Sequence, residues 1–253
     1  MRVWALAAAL AIAPAACGGD DGDAAGDEQL TVSAAASLKT AFEDYAGSFD
    51  AADVRYSFAG SDELAAQIRQ GAKPDVYAAA NTKLPAQLFS EGRVEKPIEF
   101  AGNELVVAVP AGSDEIDSIE DLAGNDVRLV VGDEDVPVGS YTREVLDRLP
   151  EAQRDAILVN VKSEEPDVLG ISAKLTQGAA SAGFLYATDV RAAGEELEAI
   201  DLPHGLEPQV VYGIAVVKGS DVEREAKLFI EGLLAEAGRA AMRRAGFLPP
   251  PSG

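Results

Sequence analysis

Apolar runs of strand length alternate along this chain with segments of helical spacing. Residues 31–33 lead through three alanines to Ser37, after which Leu38, Ala41, Phe42, Tyr45 and Ala46 recur on one helical face. The run 54–58 alternates as a strand, and Leu64 and Ile68 then begin an apolar helix face that Gly71 ends. The run 74–80 predicts a third strand, followed by a helix carrying Leu84 and Leu88. The most apolar strand of the first half is 105–109, closed by Pro110, and another strand is expected over 127–131. Tyr141, Val145, Leu146 and Leu149 supply the buried face of the next helix. Buried strands at 182–186 and 210–217 follow, and a single long helix from about 221 to 244 ends at Gly246 and three prolines. This β-α alternation predicts an α/β fold of parallel sheet and crossover helices, whose ligands sit at the carboxyl ends of the strands.

Four of the predicted helices open in a similar way. Ser37 stands at the first opening, Ser61 with Asp62 and Glu63 at the second, Pro137 at the third, and Pro166 among acids at the fourth. Ser61 is expected to cap its helix, and Pro137 suits a first helical position, where a missing N–H costs nothing. The first N–H groups of a helix lack intrahelical partners and carry about half a positive charge, so each opening can hold an anion. Together they read as helix starts gathered around one oxyanion. Tyr186, at the carboxyl end of its strand, reads as a core residue with its hydroxyl at the edge.

Composition narrows the partners. The net charge is −22 over 253 residues, so no basic stripe exists to engage a phosphate backbone, and nucleic acid is excluded. An acidic protein that binds an anion must do so through local dipoles. Residues 1–16 hold one basic residue and an apolar run ending in small residues, a secretory signal peptide too short for a membrane span of about 20 residues. Cys17 is the one cysteine, which excludes a disulfide within the chain. Its setting resembles a bacterial lipobox, with Cys17 as the lipidated first residue of the mature protein. Pro14 departs from that pattern, and Ala13-Pro14-Ala15 would also suit ordinary signal peptidase. Residues 17–28, rich in Gly and Asp, then form a flexible acidic tether.

The segments AAASL at 34–38, SFAGSDELAAQI at 57–68, VGDEDVPVGSY at 131–141, EEPDVLG at 164–170 and GFLYATDV at 183–190 resemble those of the molybdate-binding proteins of bacterial ABC importers, the ModA group of type II periplasmic binding proteins. The resemblance covers essentially all of the mature chain. It implies two α/β lobes joined by two crossing strands, near 105–107 and 211–213, with lobe 1 formed by 29–105 plus 213–253 and lobe 2 by 106–212. It places the oxyanion contacts on Ser37, Ser61, Val138, Val168 and Tyr186: hydroxyl and backbone N–H of the serines, backbone N–H of the valines, hydroxyl of the tyrosine. It implies molybdate or tungstate as ligand, no cofactor and no direct cation ligand. A monomer delivering that ligand to ABC permease subunits is expected, with the membrane reached through a lipid on Cys17.

Two departures matter. Val138 stands where alanine is common, an exchange that backbone donation tolerates. Gly60 replaces a frequent serine and is expected to widen the pocket or reorient the neighbouring amide. A donor-only site should reject hydrogen phosphate, provided that Asp62, Asp133 and Asp167 point away from it. Sulfate, or a small organic anion on the same fold, is the alternative ligand. An enzyme has little support: G-x-S-x-G, G-x-G-x-x-G, P-loop and H-E-x-x-H are all missing, and His204, the one histidine, sits in a turn-like Leu-Pro-His-Gly. Iron would call for clustered tyrosine, histidine and carboxylate ligands, a pattern this sequence does not offer.

Overall fold

The computed structural model describes residues 28–251; the expected signal peptide, Cys17 and all of the tether but Glu28 lie outside the described residues. The strands and helices run in the order β1 (Gln29–Ala35), α1 (Lys39–Ala46), β2 (Asp53–Ala59), α2 (Ser61–Arg69), β3 (Val76–Ala79), α3 (Lys83–Ser90), β4 (Ile98–Asn103), β5 (Leu105–Pro110), β6 (Leu129–Gly132), α4 (Pro137–Asp147) and α5 (Glu151–Val159). They continue with β7 (Val161–Glu165), α6 (Val168–Thr176), β8 (Ala182–Tyr186), α7 (Ala187–Ala193), β9 (Leu197–Ile200), β10 (Val210–Val216), α8 (Glu223–Leu234) and α9 (Glu236–Arg244).

Among the described residues the strands form two five-stranded sheets, ordered β2-β1-β3-β10-β4 and β7-β6-β8-β5-β9. Each has a parallel trio, β2-β1-β3 in one and β7-β6-β8 in the other. Each trio is then extended by an antiparallel strand, β10 against β3 and β5 against β8. The sheets are therefore mixed, where alternation alone predicts parallel ones. The chain leaves the first sheet at Asn103, enters the second at Leu105, and returns after β9 through a loop to Val210. Leu105 thus belongs with the second sheet and Val210 to Tyr212 with the first, a few residues from the boundaries expected at 105 and 213.

The inner strands are apolar because helices cover both of their faces. β6, β8 and β10 are buried at every position. In the first lobe, Phe42 and Tyr45 of α1 pack on Phe229 of α8, with ring centroids 5.8 and 5.1 Å apart, and the Tyr45 hydroxyl donates to the Phe229 carbonyl at 3.0 Å. Each such side chain taken fully from water contributes about 1.5–3 kcal/mol, enough to fix helix against sheet. The long C-terminal helix is in fact two, α8 and α9, broken at Ala235, where ψ is −174°. Close packing accounts for the break: Gly238 lies so near the end of α8 that a Cβ there would meet the Leu233 α-carbon at 2.3 Å.

Candidate functional site

Six parallel strands, three from each sheet, end at one cavity between the lobes. After β1, β2 and β3 come Ser37, Gly60-Ser61 and Ala80; after β6 and β7 come Pro137-Val138 and Asp167-Val168; β8 ends in Tyr186. All of these line the cavity, so the structure brings Ser37, Ser61, Val138, Val168 and Tyr186 together as a single set. About 20 Å³ is open there to the centre of a water molecule. Restoring water's own radius of ~1.4 Å gives a hole roughly 3 Å in radius, room for one compact ion.

Local sequence explains why each group faces inward. Ser37 sits in a 3-10 turn, Ala36–Leu38, that precedes α1, and does not open the helix itself. Its hydroxyl is 2.9 Å from that of Tyr212. Ser61 is the first residue of α2 and Gly60 occupies the cap position, which corrects the capping role expected for the serine. The Ser61 hydroxyl instead accepts the Ala80 N–H at 3.1 Å, tying the opening of α2 to the end of β3. Accepting that bond leaves its proton free to be donated.

The other two openings contribute backbone. Pro137 begins α4 without an N–H, so the unpaired donors of that first turn are those of Val138 and Gly139. Gly139 is required by close approach, since a Cβ there would fall 1.8 Å from the Asp133 carbonyl oxygen. Pro166 lies outside α6 and Asp167 caps it, its Oδ1 accepting the Gly170 N–H at 3.0 Å. That satisfies one N–H of the turn and leaves those of Val168 and Leu169. Tyr186 is 1% exposed, and its hydroxyl finds no partner among the described residues. Burial holds its ionisation well above the ordinary phenol range, so the group stays a donor.

Among the described residues, no lysine, arginine or histidine lines the cavity. The positive potential there comes from helix openings and hydroxyls alone. Of the three acids flanking the expected contacts, Asp133 is not in the lining and Asp167 is, with Oδ1 engaged by Gly170. Asp62 has a buried, unpartnered Oδ1, and burial raises its pKa, backed by the charges of Glu63 and Asp135 and opposed by local backbone N–H groups.

Sequence patterns did not single out the layer behind the lining. Tyr212, fully buried at the return crossing, and Asn103, at the outward crossing, stand behind Ser37. Gly60 has a part other than the expected widening: a Cβ there would lie 2.5 Å from the Pro166 carbonyl oxygen of the facing lobe, so its absence lets the lobes approach.

A family model described as bacterial extracellular solute-binding protein matches residues 30–248, and the molybdate-binding protein ModA of Mycobacterium tuberculosis is 34% identical over 235 residues, covering 90% of this chain and 88% of the relative. The chain belongs to this solute-binding family. A second relative of the solute-binding protein, a putative ABC transporter substrate-binding lipoprotein of Bacillus subtilis named YvgL, is 27% identical over 97% of this chain and 96% of its own length. Among solved structures, the periplasmic molybdate-binding protein of Azotobacter vinelandii superposes with a TM-score of 0.79 at 23% identity, covering 88% of this chain and 100% of that one. The sulfate-binding protein SubI of M. tuberculosis does so with a TM-score of 0.77 at 19% identity, covering 88% and 87%. At those identities the likeness concerns the fold, which is the two-lobed type II arrangement. Among the described residues, no helix of the solute-binding protein is long and apolar enough to cross a membrane.

Proposed function

We propose that this solute-binding protein captures molybdate or tungstate outside the cytoplasm and delivers it to the membrane subunits of an ABC importer. The observation that carries this reading is the Tyr186 hydroxyl, buried with no partner among the described residues in a cavity lined by serine hydroxyls and helix-start N–H groups, with Asp167 the one carboxylate in the lining. An orphaned buried hydroxyl costs about 1–3 kcal/mol, which an acceptor-rich guest in the cavity would recover. Ser37 and Ser61 would contribute hydroxyl and N–H, Val138 and Val168 their N–H groups, and each bond to a charged guest is worth about 1.5–3 kcal/mol.

The guest's class follows from the same groups. A fully deprotonated tetrahedral dianion offers only acceptors, and a hole roughly 3 Å in radius has room for it. Hydrogen phosphate brings a proton for which the N–H and hydroxyl donors have no use; the one carboxylate in the lining, Asp167, has its Oδ1 already engaged by Gly170. Because the donors come from both lobes, the guest favours the closed form by touching both.

A thermal-shift panel of molybdate, tungstate, sulfate and phosphate tests the assignment. Molybdate and tungstate should raise the melting temperature, by the equivalent of about 2.7 kcal/mol at a hundred times their Kd. A larger shift with sulfate or phosphate would replace the proposed ligand. The delivery role also calls for a tether, and lipidation of Cys17 would supply one. Mass spectrometry of membrane-extracted protein should find a diacylglyceryl group on Cys17; an unmodified N-terminus at Ala16 or Cys17 would make the protein freely secreted.

A further inference from the structure

Behind Ser37 lies a row of buried polar groups whose direction of donation is fixed. Asn103 ends β4, and its Oδ1 accepts the Glu104 N–H at 2.9 Å, which leaves Nδ2 facing the interior. Nδ2 carries two protons and accepts none. One goes to Thr188 Oγ1 at 2.8 Å and the other to the Tyr212 hydroxyl oxygen at 3.2 Å. Having accepted from Asn103, Tyr212 turns its own proton to its remaining partner, the Ser37 hydroxyl 2.9 Å away. Ser37, having accepted in turn, has one proton left, and the residue lines the cavity.

We propose that Asn103 and Tyr212 are positioning residues that aim the Ser37 proton into the cavity and strengthen it as a donor to the oxyanion. The inference rests on the oxyanion reading of the cavity. All four groups are nearly out of water, with Tyr212 0%, Thr188 4%, Asn103 6% and Ser37 8% exposed. In such surroundings each bond in a chain polarises the next, by about 10–30%. Burial holds the Tyr212 phenol well above its ordinary range, so its proton is present throughout the physiological range. Thr188 belongs to α7 and Tyr212 to β10, so one amide, at the crossing between the sheets, reaches both lobes and sets the direction.

A network that merely glued the crossings together would affect stability; a relay affects affinity, and only through Ser37. The test is a double-mutant cycle read by calorimetric titration of the full folded chain with molybdate, together with the melting temperature of the ligand-free protein. Tyr212→Phe keeps the ring among its aromatic neighbours and should weaken binding about fivefold to tenfold, the scale of one hydrogen bond. In a Ser37→Ala background the same change should have no further effect. An equal loss in both backgrounds, or wild-type affinity in Tyr212→Phe, overturns the relay. Asn103→Ala read in the same cycle keeps the question decidable should Tyr212→Phe fail to fold. Ser37→Ala and Tyr186→Phe separate the two levels. If neither weakens molybdate binding, the cavity is not the oxyanion site and the relay falls with it; if both do while Tyr212→Phe does not, the relay alone is wrong.

Discussion

Gly60 and the carbonyl of Pro166 face each other across the cleft so closely that a single methyl on Gly60 would stand 2.5 Å from the oxygen. Contacts that short are relieved by movement, and the free movement here is separation of the lobes. Gly60→Ala should cost closure about 1–3 kcal/mol, the usual scale of overpacking, or roughly fivefold to a hundredfold in affinity. The ligand-free melting temperature should change less, because opening removes the Pro166 contact and leaves only the Asp62 Oδ1 of α2, 2.9 Å from the methyl, to shift. Small-angle scattering with and without molybdate checks this, and a variant that compacts and binds like the wild type would show that the lobes do not meet at Gly60.

Tyr186→Phe removes a buried hydroxyl that has no partner among the described residues. Two measurements should therefore diverge. Molybdate affinity should fall roughly tenfold or more, the loss of a charge-assisted bond, while the ligand-free protein should melt no lower, an unsatisfied polar group having gone. Loss of stability without loss of affinity would assign the hydroxyl to the core.

Val168 begins α6 after Asp167, whose backbone is extended with φ −161° and ψ 175°. Proline is at home in a first helical position after an extended residue. Val168→Pro therefore deletes one N–H while sparing the helix, whereas Val168→Ala deletes side-chain volume and spares the N–H. If the amide is the contact, the proline variant should lose about 1.5–3 kcal/mol of binding and the alanine variant almost none. The reverse order, by calorimetry, would make the side chain the determinant.

Asp189 accepts the Tyr186 N–H at 3.1 Å, yet burial, helped by the charge of Asp167, lifts its pKa from 3.8 to about 7. The folded protein thus binds a proton that the unfolded chain has already released over this interval. Stability owed to that proton is complete below the unfolded value and disappears as pH rises through about 7. Asp189→Asn should flatten the melting-temperature profile between about pH 4 and about pH 7 and raise it above that range. Parallel profiles for variant and wild type would show that Asp189 titrates normally.

The inner strands were legible because both of their faces are buried: the runs at 105–109, 182–186 and 210–217 announce β5, β8 and β10 by apolarity alone. β4, β7 and β9 went unforeseen, and all three are sheet edges. An edge strand such as Val161–Glu165 is buried at none of its positions and can be as polar as a loop, so its residues read as the approach to a helix. The openings of α4 and α6 were visible in Pro137, Pro166 and Asp167, local chemistry written in adjacent residues. The Ser61 hydroxyl was misassigned because its acceptor role depends on Ala80, across a strand rather than along a helix. Tyr212 was hidden for the same reason on a larger scale, being 175 positions from Ser37. Within its own strand it is one more apolar residue.

The crossing strands also set an order of completion. Every strand of the second sheet lies between residues 105 and 200, so that half can close as soon as its own stretch of chain is available. The first half cannot, because β10 must slot between β3 and β4 and is made more than a hundred residues after them. As the polypeptide emerges from its N-terminal end, β1, β2 and β3 can pair early, while β3 and β4 wait for the strand they share. Until β10 is in place the first sheet keeps a gap between β3 and β4, so the half of the molecule that is made first is completed last.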